Sequence, residues 1–126
     1  MYVRPFFDWL ERLNKLEKRS QLNLLHIQFP HVPHDTTSLG RLYQNGKTIR
    51  PMLQNLKTDH YEADQSLLNV VHHNYLLQSA YTDTLVADLI ERLKKNNLFD
   101  KSMIIVTSDH GVSFEKSGAA RRIVEN

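Results

Sequence analysis

The chain has 126 residues, which is enough for one modest domain with a core and too few for two. Its net charge is only +2, with both signs interspersed, so charge gives no argument for nucleic acid as a partner. The lack of cysteine excludes disulfides and thiolate metal sites, and no apolar stretch approaches the roughly 20 residues that cross a bilayer. Compartment and oligomeric state stay open.

The first predicted element is a helix within residues 1–20. Phe6, Leu10 and Leu13 recur at helical spacing with charged residues between them. Asp8 lies in the first turn, where a negative charge favours the helix dipole.

A strand is predicted next, over residues 22–29, with the sequence LNLLHIQF. Pro30 ends it, because proline cannot donate a hydrogen bond to a neighbouring strand. Residues 30–61 then contain three prolines and two glycines and show no sustained hydrophobic period. A connection of that length in a compact domain is usually functional, so we expect an active-site loop here.

A long helix is predicted over residues 62–97, a stretch without glycine or proline. His72 and His73 are expected on its solvated face, and Asn96 and Asn97 can end it. The row of residues at three- and four-residue steps is Leu67, Leu68, Val71, Tyr75, Gln78, Leu85, Leu89 and Leu93.

The last predicted element is a strand over residues 102–108, a continuous apolar run of the kind that is buried in parallel sheets. The order strand, helix, strand implies a right-handed crossover and two parallel strands in one α/β sheet. The carboxyl ends of parallel strands share the edge where open α/β sheets bind ligands. His31, His34, Asp109 and His110 are therefore expected to converge there.

Such a cluster suits a divalent cation with mixed oxygen and nitrogen ligands, such as Mg²⁺, Mn²⁺ or Zn²⁺. Asp109 and His110 can share one ion only if the chain turns at that point, and Gly111 makes such a turn inexpensive. The alternative is that Asp109 caps the following segment while His110 packs against it. Residue spacing alone leaves both interpretations open.

Two segments carry a resemblance to a known family: HIQFPHVPHD, and YLLQSAYTDTLVADLIERLKKNNLFDKSMIIVTSDHGVSF. Together, over roughly residues 22–126, they resemble the sulfatase-like branch of the alkaline phosphatase superfamily. The combination of Tyr81 and Asp83 on a helix, followed by a strand and the sequence TSDHG, is more specific than the DHG tripeptide alone.

The resemblance implies part of a parallel-sheet sandwich and a metal-dependent hydrolase acting on anionic sulfate or phosphate esters. Asp109 and His110 would bind the metal, which the resemblance leaves open as Ca²⁺, Mg²⁺, Mn²⁺ or Zn²⁺. His31 would contact the transferred group and assist the leaving group, with His34 as a second catalytic candidate. The resemblance is also compatible with a parent protein that is membrane-anchored or extracytoplasmic.

The sequence departs from the family in lacking its nucleophile motif and the acidic pair that supplies further metal ligands. Residues 37–41, TSLGR, lack the proline of that motif and follow the first strand rather than precede it. We therefore expect a single partial domain, 1–126, that holds one half of an active site and shows no turnover by itself. The alternatives are a non-catalytic remnant or interaction module, and a phosphoglycerol- or phosphoethanolamine-type transferase of the same superfamily.

Overall fold

The structure is a computed structural model that describes residues 3–13, 20–43, 54–55, 60–61 and 64–115. Within these ranges the order of elements is helix, two short strands and a long helix. They are α1 at Arg4–Arg12, β1 at Gln54–Asn55, β2 at His60–Tyr61 and α2 at Gln65–Lys95. A 3-10 helix follows at Phe99–Lys101.

The chain divides into two compact units, each with its own buried side chains. One unit comprises Met1–Gln28 and Asp83–Ile105, and the other comprises Phe29–Thr82 and Val106–Asn126. The buried apolar residues of the first unit are Val3, Phe6, Leu10, Leu85 and Leu93. In the second unit the buried residues are Leu68, Val71, Gln78, His34, Thr36 and Ser113.

Helix α1 buries one apolar face, as its spacing predicts. Phe6 and Leu10 are each 3% exposed and lie four residues apart, on the same side of the helix. The helix ends where the Leu13 N–H donates to the Leu10 carbonyl. The part of the predicted helix at residues 14–19 lies outside the described residues.

Helix α2 spans Gln65–Lys95, compared with the predicted 62–97. At its start the Asp64 carboxylate accepts the Leu67 N–H at 2.9 Å, which satisfies one of the free donors of the first turn. At its end Asn97 has φ 55°, a left-handed conformation that asparagine adopts more readily than most residues. The Leu98 N–H then reaches back to the Leu93 carbonyl at 2.8 Å, which closes the helix.

The two strands predicted at residues 22–29 and 102–108 are not assigned in the structure. Residues 20–28 and 102–107 have no regular secondary structure. Leu22 and Leu24 are 96% and 87% exposed, and Met103 is 88% exposed, so these apolar side chains lack the cover of a packed sheet. A strand is defined by its hydrogen-bonded neighbour, and the parallel pairing therefore stays a prediction.

Among the described residues, a two-stranded sheet lies inside the predicted active-site loop at residues 30–61. β1 and β2 pair antiparallel, with Gln54 opposite Tyr61 and Asn55 opposite His60. Earlier in the loop, Thr36 and Leu42 form an isolated antiparallel bridge. The active-site role of residues 30–61 stays a prediction.

The turn inside this bridge requires a glycine. Gly40 has φ +73°, and a Cβ at this residue would lie 2.5 Å from the ring of Tyr81 on α2. Side chains larger than hydrogen are therefore excluded both by the backbone conformation and by the close approach of the ring. This contact holds the turn against α2.

Among the described residues, neither helix combines the length and apolar character that a bilayer span needs.

Candidate functional site

The ring of His31 is exposed to solvent, while its backbone carbonyl accepts a hydrogen bond from Gln78. Its side chain is exposed, and its Nδ1 lies 2.9 Å from the Val32 carbonyl oxygen. A carbonyl oxygen can only accept, so Nδ1 carries the proton of the neutral ring and Nε2 keeps its lone pair. The atom that His31 offers to a ligand is therefore Nε2.

His34 lies in a different environment, because it is buried among aromatic rings. It is 6% exposed, and its ring centroid lies 5.5 Å from that of Tyr75 and 6.2 Å from that of Phe114. Within the described part of the chain, its Nδ1 has no hydrogen-bond partner. Burial first, and the nearby His31 second, lower the pKa of His34 from 6.5 to about 4, although a hydrogen bond to the Pro30 backbone and, less strongly, Asp35 act in the opposite direction.

This pKa makes the stability of the protein depend on pH in a predictable direction. Between pH 6.5 and about 4 the unfolded chain protonates His34 while the folded chain keeps it neutral. Folding stability contributed by this group is therefore full above pH 6.5 and is lost as pH falls toward 4, by up to about 3 kcal/mol. We expect His34→Phe to flatten the pH dependence of the free energy of unfolding, measured by urea titration across this window.

His73 provides the matched control for that measurement, because it is an exposed histidine on α2. The substitution His73→Phe should leave the slope between pH 6.5 and 4 close to that of the unmodified protein. An unmodified slope in the His34→Phe protein would show that burial does not keep this imidazole neutral.

Asp109 and His110 lie at a sharp bend in the chain. The Ser108 hydroxyl donates to the His110 carbonyl at 2.6 Å, and the His110 N–H donates to Oδ1 of Asp109 at 3.1 Å. This local network forms the turn that a shared ion would require. Gly111 contributes less than expected, because among the described glycines only Gly40 has a positive φ.

A ring nitrogen of His110 and a carboxylate oxygen of Asp109 lie close to each other. His110 Nδ1 lies 2.8 Å from the Gly111 carbonyl, so Nε2 of the neutral ring is the free nitrogen. That Nε2 lies 3.8 Å from Oδ2 of Asp109, and the Asp109 side chain is 90% exposed. Because metal–ligand distances are about 2.0–2.6 Å, one cation can contact both atoms.

A complete metal centre is not seen in the described residues, which contain no group of three His, Asp or Glu side chains able to hold an ion. The role of Asp109 and His110 as metal ligands therefore stays a prediction. The alternative interpretation also has a contact in its favour, since the Asp109 carboxylate accepts the neighbouring N–H as a local cap.

The segment that follows the Asp109–His110 bend packs against the first half of α2. Ser113 is 8% exposed, and the Phe114 carbonyl accepts the side-chain N–H of Gln65 at 3.2 Å. The Phe114 ring stacks on His72 with centroids 4.9 Å apart and an interplanar angle of 16°. His34, from the other segment, contacts the same ring. Both candidate segments thus meet on one stretch of α2.

The contacts of two residues in this arrangement were not predicted from the sequence. His72 was expected on a solvated face, and it is exposed but stacked on Phe114. Gln78 was expected only as a member of the apolar row, and it donates a hydrogen bond to the His31 carbonyl at 2.8 Å. The only available signal was the polar side chain of Gln78 in a row that is otherwise apolar or aromatic.

Comparison with known protein families gives one match. A family model described as Sulfatase matches residues 2–125. The chain belongs to the sulfatase family. The match also includes the residues of α1, which the resemblance over roughly 22–126 had left out. No curated protein and no solved structure matched the chain.

Membership in the sulfatase family relates the chain to hydrolases with an alkaline-phosphatase-like fold. The family typically uses a divalent metal, and its members suggest sulfate esters as the class of substrate. The recognition of the family from the sequence is therefore confirmed. The roles of individual residues stay predictions.

Proposed function

We propose that this sulfatase-family chain supplies part of the active site of a metal-dependent hydrolase of sulfate or phosphate esters. Asp109 and His110 act as ligands of a divalent cation, and His31 contacts the transferred group. The observation that carries the proposal is the meeting of the two candidate segments on the first half of α2. His34 from one segment and Phe114 from the other lie with ring centroids 6.2 Å apart.

The tautomers of the two histidines support the same assignment. His31 and His110 each use Nδ1 for a backbone carbonyl of the next residue, at 2.9 and 2.8 Å. A histidine that binds a metal or transfers a proton commonly fixes its ring in this way, because the bond sets both orientation and tautomer. Each ring is left with Nε2 as its working atom.

The residues divide the chemistry between them. When bound, the cation polarises the ester oxygens and stabilises negative charge that develops on them. Asp109 contributes the hard anionic oxygen and His110 the neutral nitrogen of its ligand set. In its protonated, imidazolium form His31 donates a hydrogen bond from Nε2 to the sulfate or phosphate group, and it passes that proton to the leaving oxygen. The parallel sheet predicted for residues 22–29 and 102–108 would hold these two segments at one edge.

Turnover by the full-length protein tests the proposal. An aryl sulfate and an aryl phosphate diester are offered separately, with and without a chelator, and Ca²⁺, Mg²⁺, Mn²⁺ and Zn²⁺ are then restored one at a time. We expect one substrate class to be hydrolysed, with activity lost on chelation and recovered with at least one cation. A folded protein that hydrolyses neither substrate with any of the four cations would favour a non-catalytic interaction module.

A further inference from the structure

Gln78 is a polar side chain in the middle of a buried helix face. It is 0% exposed, and Val71 and Leu85, which belong to the same row, are each 1% exposed. Its Nε2 donates to the carbonyl oxygen of His31 at 2.8 Å, across 47 positions of sequence. Because that carbonyl can only accept, the amide nitrogen must be the atom that faces it.

The loop that carries His31 contacts α2 at three places in succession. Two of these contacts are edge-to-face ring contacts, with centroids 5.6 and 5.5 Å apart, and the central contact is the amide hydrogen bond. The pairs, in loop order, are Phe29 with Tyr81, His31 with Gln78, and His34 with Tyr75. The loop therefore runs opposite to the helix, one contact for each turn.

These contacts differ in what they fix. Aromatic edge-to-face pairs tolerate sliding, since their attraction varies gently over centroid distances of about 4.5–7 Å. A hydrogen bond weakens steeply away from its preferred distance and angle, so it fixes position along the helix axis. Gln78 supplies this directional contact, and it supplies it to the backbone of His31 itself.

The ring and the backbone carbonyl of His31 thus lie in different environments. Its ring is exposed and ends in a free Nε2, while its carbonyl is bound to a fully buried side chain. Rigid backbone with an exposed working atom is what a proton donor or anion contact requires, because misplacement by about 1 Å can cost about 10²-fold in rate.

We propose that Gln78 is a positioning residue for His31, a role that rests on the catalytic function proposed above for that histidine. Gln78 does not itself contact the substrate. It acts by holding the His31 backbone at one height on α2, so that Nε2 of His31 meets the transferred group or the leaving oxygen.

Two substitutions separate positioning from simple core filling. Gln78→Met keeps the length of the side chain and removes the donor. Gln78→Glu replaces the donor by a carboxyl group, which donates when protonated and repels the carbonyl when ionised. Ser79→Ala is the matched control, because within the described residues the neighbouring Ser79 hydroxyl is buried without a hydrogen-bond partner.

In the full-length protein, we expect Gln78→Met to lower kcat by about 10- to 100-fold with little change in KM. Gln78→Glu should recover kcat relative to the unmodified protein as pH falls, because burial raises the pKa of a carboxyl and its protonated form restores the bond. Ser79→Ala should match the unmodified protein. A folded Gln78→Met protein with an unchanged kcat would overturn the proposal.

The imidazole resonances of His31, assigned by their loss in His31→Gln, give a readout that does not need turnover. They should shift or broaden in Gln78→Met and stay unchanged in Ser79→Ala. Unchanged resonances in a folded Gln78→Met protein would refute positioning whatever the activity. Altered resonances in a protein that has no turnover before substitution would instead count against the proposed function alone. If Gln78→Met does not fold, Gln78→Glu is the deciding variant. The proposal would be refuted if, at low pH, its His31 resonances did not approach those of the unmodified protein at the same pH.

Discussion

Asp109→Ala in the full-length protein is expected to lower kcat/KM by about 10³-fold or more, because a Lewis acid contributes several kcal/mol to the transition state. The substitution removes the carboxylate of the Asp109–His110 pair, whose Oδ2 lies 3.8 Å from Nε2 of His110. Hydrolysis of the aryl ester identified as substrate measures the loss. Metal content by mass spectrometry should fall in parallel, since the remaining imidazole holds a hard cation weakly.

Two further variants make this result specific. Asp109→Asn keeps the shape and one neutral oxygen, so it should retain more metal than Asp109→Ala while losing most activity. Asp88→Ala removes an exposed acid from α2 and should leave activity and metal content unchanged. Normal turnover by Asp109→Ala with a full complement of metal would refute the ligand assignment. It would leave the carboxylate with its capping contact to the His110 N–H as its only role.

The sequence was informative where a local rule decides the structure. Helix α2 follows from uninterrupted helical spacing, and its end at Asn97 follows from the ease with which asparagine adopts a left-handed conformation. Helix α1 follows in the same way from Phe6 and Leu10. The family could be recognised because the HIQFPHVPHD and TSDHG segments together form a specific pattern.

Sequence was less informative where the outcome depends on a partner. The apolar alternation at residues 22–29 predicts a strand, yet a strand exists only through hydrogen bonds to a neighbour. Leu24 at 87% and Ile105 at 78% exposure show apolar residues without the packing that the pattern anticipates. The contact of Gln78 with His31 was equally hidden, because a pair 47 positions apart leaves no mark in local spacing.

The two segments that carry the candidate residues meet in the structure for a reason other than the one predicted. The prediction used the shared edge of two parallel strands, whereas the structure brings the segments together through rings on α2. His34, Tyr75 and Phe114 form that contact. The proposal assigns chemistry to none of the three, although the resemblance made His34 a second catalytic candidate, and the side chains of His31 and Asp109 are exposed.

His31→Gln tests the role of the exposed ring most directly. We expect kcat to fall by about 10²- to 10⁴-fold, the usual range for losing a general acid, because glutamine cannot supply a transferable proton. The size of the loss should depend on the leaving group. An aryl ester with a weakly basic phenol needs little protonation, so its rate should fall less than that of an alkyl ester.

This dependence separates proton donation from binding. If Nε2 of His31 donates the proton, the loss in the His31→Gln protein should appear in kcat and should be larger with the alkyl ester. If His31 only binds the anionic group, kcat/KM should fall by the same factor for both esters, and the change should appear as a higher KM. His73→Gln, on the exposed side of α2, should match the unmodified protein with both esters. Equal activity of His31→Gln and His73→Gln would remove His31 from the site. The Gln78 hydrogen bond would then be an ordinary tie between loop and helix, because an anchored backbone matters to catalysis only if the ring it carries meets the substrate.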